Sequence, residues 1–248
     1  MQNPIAVAIE PSAPSLENQE VTKHITMALD WRDKVVFYNG QIVPIGAATF
    51  IKCDVFDEDQ LMNSFQAVLE EQGYIDVVVN YAFLMNDSKE AYRKMINVNF
   101  TSLVNSTLKS IELMSKENGR RGGTVINIAS IIALFQSHLL PIYSATKSAI
   151  LMFSNCIGRQ EYYSRTGVRV ITVALGAYDT PILHPDNLKS FDKHVEAIIY
   201  YRVESAAQGM VDVFKLAETG STWIVVNDRP AKDITTTIKE AYELMSIH

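Results

Sequence analysis

Tyr143 and Lys147 stand four residues apart at the start of a helical stretch, so their side chains share one face. A phenol beside an ammonium is an acid–base pair, because the cation favours the phenolate and draws the tyrosine toward working pH. Upstream, Ser130 closes the run Thr124-Val125-Ile126-Asn127-Ile128-Ala129-Ser130, which has the character of a buried strand. A serine at the carboxyl end of a parallel strand faces the crevice in which such sheets bind ligands. Ser130 and Tyr143 would then hold one substrate oxygen, the first steadying it and the second exchanging a proton with it. A bare Tyr/Lys pair is equally what an ordinary helix surface presents, so the surrounding elements have to decide.

Those elements alternate. Apolar runs at 5–9, 34–38, 49–52, 75–79, 124–128, 168–174 and 222–226 have strand length and are mostly continuous, as strands buried on both faces are. Helical patterns at 17–29, 58–72, 88–117, 141–164 and 204–218 lie between them. The alternation predicts an α/β chain with a Rossmann-like, doubly wound parallel sheet, built as a single domain over 1–248. Residues 177–203 follow a strand and carry Pro181, Pro185 and apolar pairs, which predicts a substrate lid. The tail 229–248 ends in a helical pattern of Ile238, Ala241, Tyr242 and Met245.

A net charge of -6, with no basic patch, argues against nucleic acid as a partner. No apolar stretch reaches the roughly 18 residues of a membrane span, and the amino terminus has no secretory pattern, so a cytoplasmic protein is expected. Cys53 and Cys156 read as two buried thiols of a reducing compartment. The five histidines include no pair at ligand spacing on a helix, so no metal is expected.

The runs Ile126 to Ser130 and Tyr143-Ser144-Ala145-Thr146-Lys147 resemble the active site of the short-chain dehydrogenases/reductases, most of all the branch of hydroxyprostaglandin dehydrogenase and the insect alcohol dehydrogenases. The resemblance extends from about residue 30 to 226. It implies Tyr143 as acid/base, Lys147 as phenolate stabiliser and ribose contact, Ser130 as donor to the substrate oxygen, and Asn99, in Val98-Asn99-Phe100, as the relay asparagine. It implies NAD as cofactor, with Asp54 and Val55 flanking the adenine, Asn80 and Ala82 after the fourth strand, Thr180 near the nicotinamide amide, and Asn39 at the ribose. It also implies a homodimer through the helices near 88–117 and 143–163, and the apolar lid suggests a lipophilic hydroxyl or carbonyl substrate.

Three departures stand against that pattern. The family's Thr-Gly-x-x-x-Gly-x-Gly turn after its first strand is replaced, after Ile5 to Ile9, by Glu10-Pro11-Ser12-Ala13-Pro14-Ser15-Leu16-Glu17. Pro11 and Pro14 each lack an N–H donor, and Glu17 sets a carboxylate where phosphate would lie. Asn39 stands where an aspartate is frequent, and Phe83 takes the glycine place of Asn80-Tyr81-Ala82-Phe83, where it would intrude on the adenosine half. Three readings follow: an NAD-linked dehydrogenase or reductase, an acid–base catalyst without a redox step, or a binding protein for an apolar ligand.

Overall fold

The computed structural model describes residues 6–9, 36–39, 49–51, 53–177, 203–226 and 229–246; for 6–9, 36–39, 49–50 and 203–204 only the backbone is described. In chain order the main elements are β1 (Ala6–Ile9), β2 (Val36–Asn39), β3 (Thr49–Phe50), α1 (Glu58–Gln72), β4 (Val77–Asn80), α2 (Tyr92–Ile96), α3 (Ser102–Met114), β5 (Gly123–Ile128), α4 (Pro141–Ile157), α5 (Gln160–Thr166), β6 (Val168–Leu175), α6 (Val203–Leu216), β7 (Thr222–Val225), β8 (Lys232–Asp233) and α7 (Thr235–Ser246). They form one sheet in the order β3-β1-β2-β4-β5-β6-β7-β8, parallel except for the antiparallel edge strand β8. The fold is the expected Rossmann-like, doubly wound α/β arrangement.

Alternation along the strands fills both faces. Val77, Val79, Ile126, Ile128, Ile171 and Val173 pack on one side with Ala206, Ala207, Met210 and Val213 of α6. Val78, Val125 and Val170 pack on the other with Leu61, Phe65 and Val68 of α1 and Met114 of α3. Burying each large side chain contributes about 1.5–3 kcal/mol before entropy is counted. Gly209 brings α6 close to β7: a Cβ there would lie 2.4 Å from a Val225 methyl carbon.

Three sequence expectations change. The pattern at 141–164 is two helices, because Gly158 packs on the backbone of Gly220 and its carbonyl accepts from the Thr219 hydroxyl at 2.8 Å. The pattern at 88–117 divides into α2, a π turn over Asn97–Thr101, and α3. Cys53 is buried, but Cys156 is exposed.

The larger correction concerns strand order. The strand hydrogen-bonded to β4 is β2, with Asn39 opposite Asn80, while β1 lies one place further out, between β2 and β3. β1 is therefore not the strand paired with β4, and the Glu10 to Glu17 segment lies outside the described residues. The crevice of a doubly wound sheet opens at the carboxyl ends of the central strands, here β2, β4 and β5.

Candidate active site

Lys147 shows how the local fold builds the site. It lies in the second turn of α4, 2% exposed, and its Nζ donates to the carbonyl of Ile128 at the end of β5, 3.1 Å away. The same Nζ is 4.9 Å from the centroid of the Phe83 ring and 5.7 Å from that of Tyr143. Burial draws the ammonium down to about 7. Among the described residues Ile128 is its one hydrogen-bond acceptor, which leaves two buried donors of an ammonium that carries three.

Tyr143, one turn earlier and 7% exposed, presents its hydroxyl to Ser130. Burial raises its pKa, the Tyr81 hydroxyl nearby raises it further, and the hydrogen bond with Ser130 opposes both. Ser130 itself follows β5 and accepts from the Ile132 amide at 3.3 Å, which holds it at the strand end. Tyr81 is likewise pushed up to about 12 by burial. Burial penalises charge on the Lys147 ammonium and on the Tyr81 and Tyr143 phenolates alike.

Asn99 rides inward on the π turn and is fully buried. Its amide donates to the Leu84 carbonyl at 2.9 Å and to the Thr146 hydroxyl at 3.1 Å, and its oxygen accepts from the Leu84 amide at 2.7 Å. Thr146 in turn donates to the Tyr143 carbonyl at 2.7 Å. Ser130, Tyr143 and Lys147 thus meet in one place, and Asn99 ties the loop after β4 to the helix that carries two of them.

The residues expected at a cofactor divide. Asn80 is turned into the interior: its amide donates to Thr107 and Asn127, and its oxygen accepts from Ser106 at 2.6 Å. Its side chain is spent on the interior, because β4 is central and that buried polar group must be satisfied there. The Val55 side chain belongs to the core beside Cys53 and Leu61. Asp54 accepts from the Phe56 amide at 3.1 Å, and Ala82 packs against the same core. Asn39 ends β2 directly opposite Asn80. The Phe83 ring lies 6.3 Å from that of Tyr143. Thr180 and most of the expected lid lie outside the described residues.

Two features escaped the sequence. Asp87 accepts from the amides of Ile142 and Tyr143 at the start of α4; the signal was a helix opening on Leu139-Leu140-Pro141 with no capping side chain of its own. The other is Asn39-Gly40-Gln41-Ile42-Val43-Pro44-Ile45-Gly46, whose glycines follow the strand that borders β4.

The family model described as short chain dehydrogenase matches residues 39–190, more than half of the chain. The chain belongs to the short chain dehydrogenase family. Alcohol dehydrogenase 1 of Ceratitis cosyra is 36% identical over 142 residues, covering 57% of this chain and 54% of that protein. A 15-hydroxyprostaglandin dehydrogenase (NAD(+)) of Bos taurus is 32% identical over 148 residues, covering 59% and 55%. The chain spans about half the length of the curated relatives it matches. Among solved structures, an NADPH-dependent 3-quinuclidinone reductase from Rhodotorula rubra superposes with a TM-score of 0.64 at 16% identity, over 91% of this chain and 90% of that one. A putative short-chain dehydrogenase/reductase from Burkholderia xenovorans gives 0.68 at 17%, over 90% and 95%. These two support the fold. Among the described residues of this short chain dehydrogenase no helix is long and apolar enough to cross a membrane, and no group of ligating side chains could hold a metal ion.

Proposed function

We propose that the protein is an NAD-linked oxidoreductase acting on a hydroxyl or carbonyl group of a lipophilic small molecule. The observation that carries this reading is the buried meeting of the Tyr143 hydroxyl with Ser130, and of the Lys147 ammonium with one acceptor among the described residues, at the carboxyl edge of the central strands. Two unused donors on a buried ammonium suit the paired hydroxyls of a ribose. Lys147 would hold that sugar, with Asn39, Asn80, Ala82 and Thr180 along the rest of the cofactor, as the family resemblance implies. The run Gly40 to Gly46 follows β2 in the sequence, and glycines after such a strand would suit the approach of backbone amides to a pyrophosphate. Pro44 takes the place of the family's middle glycine, so one close approach is lost.

NAD supplies the acceptor for the hydride that leaves the alcohol carbon. Ser130 orients the substrate oxygen, the Tyr143 phenolate takes its proton, and Lys147 keeps the phenolate ionised. Phe83 and Tyr81 make the wall apolar, which suits a lipophilic substrate. Leu108 on α3 and Met152 on α4, both about half exposed, support a homodimer through these helices. The reading places the enzyme in the cytoplasm.

Thermal unfolding with millimolar NAD+ or NADP+, together with NAD+ reduction by cyclohexanol, tests it. NAD+ is expected to raise the melting temperature by several degrees. Tyr143→Phe should keep that rise and lower turnover by a factor on the order of a thousand or more. No shift with either nucleotide would overturn the redox reading and leave a binding function.

A further inference from the structure

The helix that carries both Tyr143 and Lys147 begins badly by local standards. Leu140 offers no capping side chain, and Pro141 at the first position has no N–H. Ser144 donates to the Leu140 carbonyl at 2.8 Å in the first regular turn, so the orphan donors are the amides of Ile142 and Tyr143. Both are met from far away in the chain by one carboxylate. Asp87 Oδ2 accepts from Ile142 at 2.7 Å and Oδ1 from Tyr143 at 3.0 Å.

Asp87 belongs to the loop that leaves β4, and that loop reaches the site at two more points. Its Phe83 ring lies against Tyr143 and Lys147, and its Leu84 main chain is held in both directions by the Asn99 side chain. We infer that Asp87 is a positioning residue: its two-point grip on the first turn of α4 fixes the depth of the Tyr143 hydroxyl relative to Ser130 and to the crevice after β4. An ordinary cap would satisfy the same donors from the residue next door. This one couples the helix of the acid–base pair to the loop beside the crevice, so a shift of one moves the other. The inference rests on the oxidoreductase reading for its kinetic consequence, though not for its structural one.

The test uses Asp87→Ala and Asp87→Asn in the full chain, with hydrogen exchange at the amides of residues 142 and 143 and steady-state oxidation of cyclohexanol by NAD+. Alanine removes both acceptors, whereas asparagine keeps one oxygen and so should recover part of the effect. Exchange at the two amides is expected to quicken in Asp87→Ala while the second half of α4 stays protected. Turnover is expected to fall roughly 10- to 100-fold with KM for NAD+ within about twofold, since a misplacement on the order of 1 Å suffices for such a loss. Asp87→Asn should lie between. Unchanged exchange at both amides, wild-type turnover in Asp87→Ala, or a loss expressed wholly in KM would overturn the assignment. A wild-type chain that never reduces NAD+ counts against the oxidoreductase reading instead, and the exchange then decides whether Asp87 grips the helix.

Discussion

A buried lysine whose one hydrogen bond among the described residues goes to a carbonyl has a measurable signature in the pH dependence of stability. Lys147 is drawn down to about 7 in the folded state, against 10.5 for the free side chain, chiefly by burial. Below pH 7 both states are charged and the folded one carries the full desolvation penalty. Between about 7 and 10.5 the unfolded chain binds the extra proton, so stability rises with pH across that window. Above about 10 the buried phenols of Tyr143 and Tyr81, both pushed up, hold protons that the unfolded chain releases, and stability falls again. Lys147→Met should therefore melt higher than wild type near neutral pH and lose the rise between pH 7 and 9.5, as scanning calorimetry across pH would show. Phe83 belongs to the same scale: a glycine place in the family holds a ring on the cation, and sequence indicated its bulk but not which neighbour it would meet.

At the scale of elements, α4 is held to the sheet by polar side chains as much as by apolar ones. Asn127, fully buried on β5, donates to the Ser154 hydroxyl of α4 at 2.9 Å and accepts from Asn80 of β4 and Thr107 of α3. Replacing it strands buried polar groups on three elements. Asn127→Ala is expected to cost roughly 2–4 kcal/mol, read as a lower urea midpoint with an unchanged slope. These elements were legible beforehand because apolar runs and turn residues are local: α1 spans the expected 58–72, and all seven expected strands begin within two residues of their expected starts. The π turn at Asn97–Thr101 and the break at Gly158 were not, since each depends on what packs against the helix.

For the molecule as a whole, strand order decides which loop can serve a nucleotide. With β2 beside β4, Asn39 ends the strand paired with β4, whereas Ile9 ends a strand one place further out. Gly40→Val should then abolish the melting shift produced by NAD+, while Glu17→Gly and Pro14→Gly leave it within error. The reverse pattern would return the nucleotide turn to residues 10–17. Before any coordinates, the residue types and their spacing determined the alternating α/β chain, the parallel sheet, and the facing of Tyr143 and Lys147 on one helix, because each follows from a period of two or of 3.6 residues. Which strand sits at the centre, that Asn80 turns inward, that Phe83 covers the ammonium and that Asp87 caps a helix 55 residues away were decided only in three dimensions. Those are contacts between segments remote in the chain, and no local pattern encodes which remote partner a side chain will meet.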